Sequence, residues 1–85
     1  MYKIYATDKF LTANHKLTAD EKKQVIKTVA ILQRDPRHPG LQSKKIKGRT
    51  GLLECRVNKD LRILWQYRDD IIVLLAVGRH KIVEF

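Results

Sequence analysis

Three runs of strand-forming residues fill most of the second half of this chain, at positions 52–57, 61–67 and 71–77. Only the polar triplets Asn58-Lys59-Asp60 and Arg68-Asp69-Asp70 separate them. Connections this short join antiparallel neighbours, because a parallel crossover needs a dozen residues or more. The three runs are therefore expected to form consecutive hairpins. An earlier run, Tyr2-Lys3-Ile4-Tyr5-Ala6, alternates and is rich in aromatic and β-branched residues, which predicts a first strand. If it joins, the antiparallel sheet has about four strands.

Between these regions the apolar period lengthens. A short helix is expected over residues 8–16, around Phe10 and Leu11. Thr18-Ala19-Asp20-Glu21 has the form of a capping box, with Thr18 at the N-cap and Glu21 three residues on. It opens a helix whose Val25, Ile26, Val29, Ile31 and Leu32 are expected to make one face. Asp35-Pro36 ends that helix, and Pro36-Arg37-His38-Pro39-Gly40 reads as a stiff loop. The expected architecture is α+β: an N-terminal strand and two helices packed on one face of a small antiparallel sheet. No repeat or linker divides the chain, so residues 1–85 are expected to form one domain.

The composition, 44% hydrophobic and 32% charged, suits a globular domain. The longest strand-forming apolar run covers residues 71–77, far short of the ~20 residues of a membrane span. The opening MYKIYATDKF has no apolar signal region, and the single Cys55 fits a reducing compartment, so a cytoplasmic location is expected. Eighteen Lys and Arg stand against nine Asp and Glu, a net charge of +9. Residues 34–62 carry nine of the basic side chains and only three acids, which points to a polyanionic partner, nucleic acid first.

Alternate strand residues point to opposite faces. Leu53, Cys55, Val57, Leu61, Ile63, Trp65 and Tyr67 belong against the helices, with Cys55 a packing residue there. Glu54, Arg56, Arg62, Leu64 and Gln66 take the other face. A three-residue turn at 58–60 places Arg56 opposite Arg62, and like charges so paired are unfavourable by some tenths of a kcal/mol. Either Glu54 relieves that repulsion or the pair grips phosphate. A three-residue turn at 68–70 would pair Ala76 with Arg62, and Gly78 and His80 would follow on the same face. Two arginines and an imidazole suit RNA cleavage by the neighbouring 2′-hydroxyl: the imidazole moves a proton, and the guanidinium groups stabilise charge on phosphorus. The arginines would favour neutral His80, leaning it towards a base. His15, His38 and His80 have no metal-ligand spacing, so no metal site and no cofactor is expected.

The segments LQRDPRHPGLQSKKIKG, GLLECRVNKDLRILWQY and IIVLLAVGRH together resemble the RelE/ParE superfamily of bacterial toxins. The likeness rests on a helix stopping at a DPR-like sequence, a Lys-rich turn, an arginine-bearing hairpin and a last strand ending V-G-x-[HR]. It implies a type II toxin held inactive by a cognate antitoxin. RelE-like members cut messenger RNA on the ribosome without metal, whereas ParE-like members poison DNA gyrase; a non-catalytic RNA or ribosome binder is a further alternative. Carried over by position, Arg62 is implied to contact the scissile phosphate, Arg56 to support it, and His80 to hold the catalytic position. Lys44, Lys45, Lys47 and Arg49 match the turn implied to contact ribosomal RNA, and Arg79 joins this RNA-binding set. Glu54 stands where some nucleases have lysine, either as a candidate catalytic base or as a residue that weakens the site. Phe85 stands where many have tyrosine, and it can stack on a base but cannot transfer a proton.

Overall fold

The computed structural model describes residues 1–79. Thr7 and Thr18, each in extended backbone, begin the two helices. α1 (Asp8–His15) starts where the Thr7 hydroxyl accepts the Phe10 N–H, and α2 (Ala19–Arg34) starts at the expected capping box, with both reciprocal bonds formed. Asp35 ends α2 ahead of Pro36, whose ring cannot continue the hydrogen-bond ladder. The buried stripe of α2 is Val25, Thr28 and Leu32, with Val29 half-buried beside it. Ile26, expected on that face, is 68% exposed, because the i, i+3, i+4, i+7 spacing from Val25 passes through Thr28 and Val29.

The strands are β1 (Lys3–Ala6), β2 (Lys44–Lys45), β3 (Leu53–Arg56), β4 (Leu61–Arg68) and β5 (Ile71–Arg79), in sheet order β1-β5-β4-β3-β2. A single 3₁₀ turn, Pro39–Leu41, lies between α2 and β2. The sheet thus differs from the expected one in two ways. It has five strands, since Lys44–Lys45 pairs with β3, and it is mixed, since β1 lies parallel to β5. The helices that follow β1 supply the long connection that parallel pairing requires.

Phe10 from α1 and Val25 and Leu32 from α2 pack with Cys55, Ile63, Trp65, Ile72, Leu74 and Val77 of the sheet. Full burial of each large aliphatic residue contributes about 1.5–3 kcal/mol. The β4–β5 connection also differs from the expected three-residue turn. Its turn has two residues, with Arg68 opposite Ile71 and Asp69 at φ 57, a left-handed conformation that aspartate tolerates. A bulge then shifts the register between Leu64 and Trp65 and leaves Leu75 without a cross-strand partner. Thr7 secures this irregularity: its hydroxyl donates to the Leu74 and Leu75 carbonyls at 2.9 and 3.2 Å, and its backbone N–H donates to Leu74 at 3.1 Å.

Candidate nucleic-acid interface

The hairpin of β3 and β4 turns at Asn58, whose side-chain oxygen accepts the backbone N–H groups of Asp60 and Leu61 at 2.8 and 2.9 Å. Its amide nitrogen reaches Gln24 on α2, tying the turn to the helix layer. Val57 donates to the Leu61 carbonyl at 2.9 Å, so the turn has the expected three residues and Arg56 lies directly opposite Arg62. Both arginines are half-buried on the face away from the helices.

Each guanidinium is held by neutral oxygens. Arg62 Nη1 donates to the Asn58 carbonyl at 2.8 Å, with longer contacts to Leu61 at 3.3 Å and Lys59 at 3.5 Å. Arg56 Nη1 reaches Gln42 Oε1 at 3.4 Å. Neither has a carboxylate partner among the described residues. Glu54, which sequence parity offered to Arg56, is paired elsewhere: it lies opposite Lys44, with Oε1 3.3 Å from the ammonium. Glu54 is 6% exposed while Lys44 stays in solvent, so β2 supplies the neutralising charge that a buried carboxylate requires. With Glu54 of β3 taken by Lys44, the two facing cations have no paired carboxylate among the described residues and can receive an anion.

The β4–β5 register places Gly78, not Ala76, opposite Arg62; Ala76 lies opposite Leu64. The turn is one residue shorter than expected and the bulge adds one residue to β5. Together they move the pairing by two positions, so the predicted face is retained. Gly78 thus brings backbone, without a side chain, beside Arg62. His80 and Phe85 lie outside the described residues.

The basic residues divide between the two faces. Lys44 shares the Glu54 face, whereas Lys45 lies opposite Leu53 on the helix side. Lys47 and Arg49 are exposed in the loop between β2 and β3, which Gly48 and Gly51 shape with φ near +80 and +81. Arg79, opposite Leu61, turns to the helix side and pairs with Glu21 at 2.9 Å. Bonding from the Thr18 backbone and from Arg79 holds the Glu21 carboxyl below its usual value. Cys55 is buried, and burial pushes its thiol up to about 12, which fits the expected packing role. Among the described residues, no three His, Cys, Asp or Glu side chains cluster to hold a metal ion.

A cavity of about 960 Å³ lies on the helix side of this hairpin, between the loop after α2 and the β2–β3 loop. Trp65 and Tyr67 line it, as do Arg37 and His38. Sequence parity had put both aromatics on this face as core. The Pro36–Gly40 stretch, read only as a stiff loop, gave no sign that it would form a wall.

No family model and no curated protein matches the sequence. Solved structures do match. The RelBE2 toxin–antitoxin complex of Mycobacterium tuberculosis aligns at TM-score 0.77 and 23% identity, covering 93% of this chain and 98% of that one. The intact RelBE toxin–antitoxin complex of Escherichia coli gives TM-score 0.77 at 18% identity, over 95% and 99% of the two chains. The archaeal RelE–RelB complex of Pyrococcus horikoshii gives 0.76 at 17%, over 95% and 97%. This chain has the RelE-like toxin fold. In this RelE-like fold the Arg56–Arg62 pair lies half-buried on the sheet face turned away from the helices, beside the buried Leu64 and Ala76.

Proposed function

We propose that this chain is the toxin of a type II toxin–antitoxin pair and acts in the cytoplasm as a ribosome-dependent messenger RNA endonuclease. The observation that carries the reading is the cross-strand pair Arg56 and Arg62, without a carboxylate partner among the described residues, on the sheet face turned away from the helices in a RelE-like fold. The 2′-hydroxyl oxygen attacks the adjacent phosphorus, the P–O5′ bond breaks, and a 2′,3′-cyclic phosphate and a 5′-hydroxyl result. Arg62 and Arg56 stabilise the charge that develops on the phosphoryl oxygens. His80 moves the proton, taking it from the 2′-hydroxyl or giving it to the leaving oxygen. The reaction so written needs no metal. Phe85 is assigned to stacking on a base.

Glu54, buried and tied to Lys44, holds β2 against β3 in this reading and is not the base. Lys45, Lys47 and Arg49 are assigned to ribosomal RNA. Arg79, engaged with Glu21 on the helix side, is left out of the RNA-gripping set. An acidic antitoxin covering that basic face would hold the toxin inactive.

Expression without antitoxin tests the proposal. Wild type is expected to arrest translation with discrete message cuts, and Arg62→Ala and His80→Ala are each expected to abolish both. DNA breaks without message cuts would replace this reading with gyrase poisoning. A second reading, an RNA binder without catalysis, draws on the bonds that Arg62 makes to the turn carbonyls. It predicts that Arg62→Ala impairs stability and binding together, and that His80→Ala changes neither.

A further inference from the structure

The cavity on the helix side has no role in the cleavage chemistry. It lies beside Leu53, Trp65 and Tyr67, on the opposite face of the sheet from Arg56 and Arg62, and Gln42, which Arg56 reaches at 3.4 Å, is among its lining residues. Its aromatic wall is built from the strand outward. Trp65 is 1% exposed and meets Tyr67 edge-on, with ring centroids 5.0 Å apart; Tyr67 is 44% exposed. Tyr2 flanks Tyr67 at 5.7 Å, so the exposed phenol is braced on two sides. Burial holds the Tyr67 hydroxyl in its protonated, hydrogen-bonding form to higher pH than usual.

The rim is cationic. Arg37, Lys45 and Arg49 are exposed lining residues. Among the described residues no carboxylate lines the cavity, and the Asp35 carboxylate, which accepts the Arg37 backbone N–H at 3.2 Å, lies near Tyr67. His38 Nδ1 accepts the Gly40 N–H at 3.0 Å, which leaves Nε2 as the ring atom free to donate outward from this wall. Trp65 Nε1 is buried and has no acceptor among the described residues. An aromatic surface bordered by guanidinium groups is the chemistry that takes an unpaired base with its phosphate. The size falls within the roughly 300–1,000 Å³ of small-ligand sites. An extended acidic peptide fits less well: the adjacent sheet edge, β2, has two residues and gives little backbone ladder for strand addition.

We propose that this cavity is a second RNA site, which takes an unpaired nucleotide by stacking on Tyr67 and gripping its phosphate with Arg37 and Arg49. The proposal rests on RNA being this chain's partner, but not on cleavage. It separates holding RNA, at this cavity, from cutting it, at Arg56 and Arg62.

Trp65 is the only tryptophan in the chain, so its emission reports occupancy of the cavity directly. The full chain is titrated with a short 2′-O-methyl RNA, which lacks the attacking hydroxyl and cannot be cut. A saturable change in emission is expected. Arg37→Ala, and separately Tyr67→Leu, should each weaken binding at least tenfold, whereas Lys23→Ala, an exposed α2 cation outside the cavity lining, should alter it less than twofold. Both substituted cavity residues are exposed, and thermal melts identify any variant that fails to fold. The proposal is overturned by RNA that leaves Trp65 emission unchanged, or by folded Arg37→Ala binding as wild type does. It is also overturned by an acidic Glu/Leu peptide that shifts the emission at lower concentration than RNA. Cleavage failure with an intact titration would remove the nuclease reading and leave this site standing.

Discussion

Leu61, Ile63 and Trp65 alternate with Arg62, Leu64 and Gln66 along one strand, and the two sets lead to opposite kinds of surface. The first set joins Phe10, Val25 and Leu32 in a core whose members are almost wholly buried. The second set leads to facing arginines, a buried carboxylate served by a lysine from a two-residue strand, and a glycine beside Arg62. On the helix face Leu61, Ile63 and Trp65 are explained by packing. On the face away from the helices, like charges are paired at a cost of tenths of a kcal/mol, and Glu54 of β3 is engaged by Lys44 instead of by either arginine. A local rule broken in this way marks that face as the one shaped by something other than stability.

The comparison can be broken at its strongest point first. Leu32 is fully buried, so Leu32→Ala should lower unfolding free energy by about 2–5 kcal/mol in urea titration; a loss below about 1 kcal/mol would show that the helix face is not the stabilising one. Thr7→Val comes next. It removes the α1 cap and the donor to both bulge carbonyls, and should cost about 2 kcal/mol. Arg62→Ala loses its bonds to the turn but relieves repulsion with Arg56, so its net stability change should stay within about 1 kcal/mol. A far larger loss would make Arg62 a structural residue and blur the contrast between faces.

The smallest effect concerns pH. The Glu21 carboxyl titrates lower in the folded protein than the ordinary 4.5, so its contribution is present above that value and is lost as pH falls through the folded one. Glu21→Gln should therefore melt below wild type at pH 7, and the gap should narrow as the pH drops below 4.5. A gap that widens on acidification would mean that Arg79 does not hold this carboxylate.

Local chemistry made much of this legible in the sequence. Thr18 and Glu21 announced the start of α2, Asp35-Pro36 its end, and the Asn58 turn fixed the pairing of Arg56 with Arg62. What escaped depended on distant partners. The parallel placement of β1 follows from how two helices cover the sheet, and a two-residue strand such as β2 has no periodicity to read. The bulge at Leu75 depends on Thr7, which lies 67 and 68 residues from the carbonyls it serves. Glu54 looked available to Arg56 because its partner, Lys44, sits on the strand that could not be foreseen. The cavity was hidden for the same reason, since its two walls are loops and its aromatics read as core.

The central claim is that the face away from the helices cuts RNA through Arg56 and Arg62. Its most direct test adds purified protein to ribosomes translating an end-labelled message and measures the initial cleavage rate. Wild type should give discrete cuts, and Arg62→Ala, verified as folded by its melting curve, should cut at least a hundredfold more slowly, as expected when a preorganised charge at the reacting phosphate is removed. Cutting by folded Arg62→Ala at the wild-type rate would contradict the account, as would translational arrest by wild type with the message left whole.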